Sequence, residues 1–181
     1  MVERKITSTD ADRIEVRQLY QTAFPVEEQI PWDDLLWLVG RMDLDFTAYY
    51  SDDIFLGLTI VYPRRQFNWF WYFAVTPEMR GKGVGQRILT RLLDKYAGSA
   101  MILDMENPEQ ECDNTEQRRR RHAFYLRNGF RDTGVGRSFK GIDYTILLRG
   151  EGVFTMADYD EIINELRSFW ATMPNADNDE K

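Results

Sequence analysis

The stretch TPEMRGKGVG, residues 76–85, sets three glycines, an arginine and a lysine into ten positions directly after the apolar run FNWFWYFAV at 67–75. A strand that ends in a glycine-rich turn and opens a helix presents several backbone N–H groups in one direction, at the positive end of the helix dipole. Such a turn is built to hold an anion. Arg80 and Lys82 add full positive charge, which favours a pyrophosphate over a carboxylate. The helix itself is legible in GVGQRILTRLLDKYAG, where Val84, Ile88, Leu92 and Leu93 recur at spacings of three to four up to Gly98.

Two familiar phosphate-binding patterns do not fit. A P-loop needs a hydroxyl after its lysine to hold magnesium, and Lys82 is followed by Gly83. A dinucleotide fold needs G-x-G-x-x-G, whereas Gly81, Gly83 and Gly85 are spaced G-x-G-x-G. On composition alone, a tight turn that only lets helix pack closely on strand stays open as the plainer reading.

Outward from this turn, the pattern predicts a mixed α/β domain. RKITSTD reads as a short strand. DADRIEVRQLYQTAFP reads as a helix with Ile14, Leu19 and Phe24 on its apolar face, and WDDLLWLVGR as a second helix closed by Gly40. DFTAYYSDDIFLGLTIVYPRR and FNWFWYFAVTP are consecutive strands broken at SDD and PRRQ. After the glycine-opened helix come the strand SAMILDMEN, a helix over TEQRRRRHAFYLRNG capped by Thr115, and a strand pair in FRDTGVGRSFKGIDYTILLRG. The last helix is TMADYDEIINELRSFW with Thr155 as N-cap. The strand-helix-strand unit over 69–105 predicts a parallel pair, with antiparallel hairpins on either side. Residues 1–173 are expected to form one domain and 174–181 a frayed tail.

Composition bounds the rest. With 43% hydrophobic and 29% charged residues over 181 positions, the chain is of ordinary globular make-up. Lys+Arg 23 against Asp+Glu 30 gives a net charge of -7, which disfavours nucleic acid and anionic membranes and favours a cationic partner. One cysteine, Cys112, and one histidine, His122, exclude an intramolecular disulfide and a Cys/His zinc site, so no metal is expected. Without an apolar leader or spanning segment, a cytoplasmic protein is expected.

The stretch FAVTPEMRGKGVGQRIL resembles the central motif of the GCN5-related N-acetyltransferase (GNAT) superfamily, with Val75, Pro77, Arg80, Gly81, Gly83 and Gly85 in register. A second family element, a helix ending F-Y-x-x-x-G-F, is matched by AFYLRNGF with Tyr125, Gly129 and Phe130. The likeness extends over residues 1 to about 150 and leaves the last helix outside. It implies a single GNAT-like domain: a central, mostly antiparallel mixed sheet with a splayed parallel strand pair, flanked by helices.

The resemblance further implies transfer of an acetyl group from acetyl-coenzyme A to a primary amine, by direct attack in a ternary complex. Backbone donors at Gly81, Lys82, Gly83, Val84 and Gly85, with Arg80 beside them, would hold the pyrophosphate. Phe73 and Val75 would supply main-chain contacts to the pantetheine arm, with Val75 N–H, expected at a strand bulge, stabilising the oxyanion. Tyr125 would donate a proton to the leaving sulfur. A primary amine with a pKa of about 10 is protonated at neutral pH, so a base is needed. Glu106 and Asp104 stand two apart on one strand face, and Glu27 and Glu28 lie in the connection VEEQIP. Glu106 is the preferred base, and Glu27, Glu28 and Asp104 form an anionic mouth for a cationic small-molecule or peptide amine. The alternative is a non-catalytic coenzyme-A-binding module that engages a partner protein, and a homodimer is compatible with either.

The helix departs from the family pattern in one place. Where the commoner sequence has Asn seven and Ala four residues before the tyrosine, this chain has Arg118 and Arg121. The run Arg118–Arg121 turns about 100° per residue, so it makes no single basic patch and reads as a solvated helix face. Cys112 as a nucleophile and His122 as a base are the weakest alternatives. Trp69, Trp71, Tyr72 and Phe73 read as core and cleft wall.

Overall fold

Residues 1–10 and 13–173 are described by the computed structural model. The strands β1 (Val2–Lys5), β2 (Asp45–Ser51), β3 (Ile54–Tyr62), β4 (Asn68–Val75), β5 (Met101–Glu106), β6 (Arg131–Phe139) and β7 (Ile142–Arg149) form one sheet. Their order is β1-β2-β3-β4-β5-β7-β6. All neighbours are antiparallel except β4 and β5, the parallel pair expected around the helix between them. The β2–β3 and β6–β7 loops are two residues long. Asp52 and Asp53 (φ 50° and 61°), and Lys140 and Gly141 (φ 49° and 80°), take the positive φ that matches strand twist.

Five helices cover the two faces: α1 (Ile14–Ala23), α2 (Trp32–Arg41), α3 (Val84–Lys95), α4 (Thr115–Arg127) and α5 (Met156–Trp170). Val16, Leu19 and Tyr20 of α1, Leu35 and Leu38 of α2, and Ile162 and Leu166 of α5 share one core with Leu58, Ile60 and Tyr72 of the sheet. Leu89, Leu92 and Leu93 of α3 and Tyr125 of α4 pack on the other face with Val61, Phe70 and Leu103. This alternation along β3 and β4 is the two-residue period of a sheet covered on both sides.

Several local expectations change. Ile14 is 64% exposed, and the buried face of α1 is Val16, Leu19 and Tyr20. Ile14, Leu19 and Phe24 are five apart, a step of roughly 140° on a helix, and so cannot share a face. Gly40 lies inside α2, whose end is closed by Met42 N–H donating to Leu38 O at 2.7 Å. α3 stops at Lys95, before Gly98. Thr115 is the first residue of α4, after Asn114 as N-cap. Thr155 does cap α5, in a reciprocal box with Asp158. The expected start of α1 at residues 11 and 12, and the expected frayed tail at 174–181, lie outside the described residues.

Two irregularities in β4 shape the centre of the sheet. Its parallel pairing with β5 is confined to Asn68 with Met101 and Trp69 with Ile102, so the strands part beyond Trp69. On its other edge the register slips between Ile60 and Val61, whose partners are Tyr72 and Phe70, leaving Trp71 as the extra residue of a bulge. Trp69, Trp71 and Tyr72 consequently all join the core on the α1/α2/α5 face, while Phe70 and Phe73 face α3 and α4.

Candidate active site

The glycine turn is open to solvent. Gly81 and Gly83 take φ 71° and 74°, where side chains are strained, and a Cβ at either would meet nothing within 4 Å. Gly85 sits against Val75 and the Phe73 ring, at 3.5 and 3.7 Å from where its Cβ would be. The first backbone bond of α3 runs from Arg87 N–H to Gly83 O. Among the described residues, the N–H groups of Gly81 through Gly85 donate to no backbone acceptor. Lys82 is exposed, and Arg80 Nε donates to Val75 O at 3.2 Å. Free donors, the helix dipole and two cations at one turn fit a pyrophosphate.

Thr76 N–H donates to Leu56 O, which by the alternation of an antiparallel ladder turns the N–H groups of Phe73 and Val75 away from β3, toward the gap. The bulge lies at Trp71, not at Val75 as expected from the sequence. The cause is local: the extra residue sits at the start of the splay, and Phe73 follows it as the first gap-facing position.

A cavity of about 550 Å³ opens beside the gap. The structure brings Phe73, Asp104, Glu106, Tyr125, Glu27 and Glu28 to its wall, and leaves Val75 and Arg80 through Gly85 farther along, outside that lining. Tyr125 is 7% exposed, and burial pushes its phenol up to about 12, partly offset by the Arg121 charge. The hydroxyl is therefore a proton donor across the neutral range.

Glu27 and Glu28 form part of the short 3-10 turn Val26–Glu28, which three tyrosines hold in place. Tyr72 OH donates to Glu28 O at 2.5 Å, Tyr144 OH to Glu28 Oε1 at 2.5 Å, and Tyr20 OH accepts from Ile30 N–H at 2.8 Å. Glu27 is exposed and Glu28 half-buried. Burial raises the Glu28 carboxyl above its ordinary range, the Tyr144 hydrogen bond opposes this, and the charges of Glu106 and Asp104 add to it.

The two carboxylates of β5 are differently placed. Glu106, 6% exposed, accepts from Arg118 at 2.7 Å on one oxygen and from Arg121 at 2.9 Å on the other. Asp104 accepts from Trp69 Nε1 at 3.0 Å and from Arg137 at 2.8 Å. The expected anionic mouth is thus neutralised at both β5 positions, and Glu27 and Glu28 are the carboxylates that face it without an ion pair among the described residues. The reading of Arg118–Arg121 as a solvated face holds for exposed Arg119 and Arg120. It fails for Arg118, which is 4% exposed, and for Arg121, which lines the cavity. Cys112 is exposed, and His122 Nε2 stands 2.9 Å from Asp132, so neither faces the cavity wall.

Residues 43–132 match the family model of the acetyltransferase (GNAT) domain. A GNAT-family protein from Bacteroides thetaiotaomicron shares the fold over 93% of this chain and 97% of its own, at 22% identity and a TM-score of 0.74. The chain is a member of the GNAT superfamily. Other GNAT-like folds include the ribosomal-protein-S18-alanine N-acetyltransferase of Escherichia coli (16% identity, TM-score 0.61, covering 85% of this chain and 99% of that one). An aminoglycoside 6'-N-acetyltransferase complexed with coenzyme A aligns at 14% identity and a TM-score of 0.63, over 82% and 96%. At these identities the likeness is one of fold. No curated protein matches the chain.

Several residues of the cavity wall were not singled out from the sequence. Arg137 and Tyr144 come from β6 and β7, and Leu166 and Trp170 from α5, the helix beyond the family motifs. Arg118 and Arg121 carried a usable signal: three apart on a helix, they share a face and can grip one carboxylate.

Proposed function

We propose that the protein is an acetyl-coenzyme-A-dependent N-acetyltransferase acting on a primary amine in a ternary complex. The observation that carries this reading is the alignment, along one strand, of an anion-ready glycine turn, a splayed gap and a cavity with both a buried tyrosine and a carboxylate of raised pKa. The coenzyme would supply the acyl group as a thioester. Gly81 through Gly85, with Lys82 and Arg80, would hold its phosphates, and the main-chain groups of Phe73 and Val75 would line its arm.

Glu28 takes the role of base in this proposal, in place of Glu106. Both oxygens of Glu106 are occupied by guanidinium groups, whereas Glu28 keeps Oε2 clear of hydrogen bonds among the described residues. Burial raises the basicity of Glu28 above that of an ordinary glutamate, which favours proton acceptance. Glu28 takes one proton from the ammonium and passes it to solvent, which frees the nitrogen lone pair to attack the acyl carbon; the second proton, shed as the amide forms, restores the Tyr125 hydroxyl. Phe73 N–H, the first gap-facing donor after the bulge, receives the charge that gathers on the acyl oxygen. Tyr125 donates a proton to the sulfur as the carbon–sulfur bond breaks, so the products are an amide and a free thiol.

Tyr125→Phe tests the assignment. The phenyl ring fills the same space, so acetyl-coenzyme-A affinity stays within about twofold while kcat falls about 100-fold. Unchanged turnover would remove Tyr125 from the mechanism.

A further inference from the structure

We propose, resting on the acetyl-transfer reading, that the acceptor is a singly charged primary amine with an aromatic body, and that polyamines and aminoglycosides are excluded. Two independent features of the cavity point there.

The first is its wall. The bulge at Trp71 places three aromatic residues of β4 on one face, and they stack in series: Trp69 on Trp71 at 4.7 Å and 19°, Trp71 on Tyr72 at 5.3 Å and 27°. Leu166 and Trp170 of α5 join the lining. Of the three β4 rings Trp71 is the partly exposed one, and with the other apolar side chains of the lining it makes a wall that rewards an apolar ring through burial and edge contacts. A cavity of about 550 Å³ has room for one or two rings beside the reacting group.

The second is its charge. An acidic cleft would be the natural receptor for several ammonium groups, yet Asp104 and Glu106 are already matched by Arg137, Arg118 and Arg121. Arg121, Arg137 and Arg167 all reach the lining, and Arg137 lies 4.2 Å from the centre of the Tyr144 ring. An amine seated at Glu28 has its charge met there. Glu27, the other carboxylate without an ion pair, is exposed next to Glu28 in the same turn, so a second ammonium placed beyond that turn meets Arg121 or Arg137, and like charges in a partly dry cavity repel.

Thiol release is measured at saturating acetyl-coenzyme A with 2-phenylethylamine and tryptamine against spermidine and kanamycin. Binding of 2-phenylethylamine alone is followed by quenching of tryptophan fluorescence. The aromatic amines are expected to show kcat/KM at least about tenfold above either polycation. The quenching saturates, and Trp71→Leu weakens it at least about fivefold. Arg137→Met, which frees Asp104, moves the preference toward spermidine by about fivefold or more. Polycations preferred over aromatic amines, or no saturable 2-phenylethylamine binding, would overturn the acceptor assignment. Acetyl-coenzyme-A binding, read by thermal shift in the same samples, separates the two levels. If it binds while polycations win, only the acceptor class falls; if it does not bind, the acetyl-transfer reading falls with it.

Discussion

At the scale of single residues, Glu28 is set apart from the other carboxylates of the cavity by what touches it. Its neighbours are tyrosine hydroxyls, which fix its position without cancelling its charge, whereas Asp104 and Glu106 face guanidinium groups. Burial raises its pKa above the usual 4.5. In the proposed role the ionised form is the base, so activity is expected to rise with pH through an ionisation displaced above the ordinary glutamate range. Glu28→Gln keeps the acceptor for Tyr144, loses at least about 100-fold in kcat and abolishes that acid limb. The stability effect has the opposite sense. A carboxyl whose folded pKa is raised holds its proton more tightly in the native state, so stability declines as pH rises through that window. The glutamine variant therefore melts no lower than the parent at neutral pH. An initial-rate profile against pH for both proteins, with melting curves at pH 7, checks each part. A variant with the parental acid limb would return the base role to another group.

At the scale of elements, the junction of β5 with α4 is held by a buried charge cluster. Glu106 ends the strand, and Arg118 and Arg121 reach it from one face of the helix. Arg118 Nε is buried without a partner, so this cluster already carries one unsatisfied donor. Glu106→Gln leaves a buried guanidinium undercompensated, at a cost of about 3 kcal/mol. For a domain of this size that is a fall of roughly 6–12 °C in melting temperature. Differential scanning calorimetry reads it directly; a loss of turnover at unchanged stability would instead mark Glu106 as a chemical participant. The same cluster shows what the sequence could carry. Element order was readable because helix and strand periods differ, and the glycine turn because Gly81 and Gly83 take positive φ, where larger side chains are strained. The bulge at Trp71 was not, since FNWFWYFAV is apolar on both faces and has no alternation for an extra residue to interrupt. The spacing of Arg118 and Arg121 put them on one helix face, but that Glu106 is the carboxylate they grip was not legible, because the strand end and the helix face meet only in the tertiary fold.

At the scale of the whole molecule, an acidic chain of net charge -7 presents a cationic, donor-rich turn at one end of a strand and a compensated aromatic cavity beside its middle. The splay between β4 and β5 connects them, and it exists because a parallel pair held by only two register positions leaves the rest of β4 unpartnered on that edge. Helix α5, beyond the motifs that disclosed the superfamily, supplies part of the cavity wall and is tied to the β3–β4 connection by Arg64 with Glu161 and Glu165. Family motifs thus pointed to the proposed donor half of the site, while the cavity proposed for the acceptor depends on elements that lie distant in sequence. The measurement that tests the central claim most directly is thermal unfolding with and without acetyl-coenzyme A. At about 100 times its Kd, the coenzyme is expected to add about 2.7 kcal/mol of stability, a rise of roughly 5–10 °C, and Gly83→Val is expected to abolish it. No rise at saturating concentration would contradict the reading of the glycine turn and, with it, the proposed enzyme.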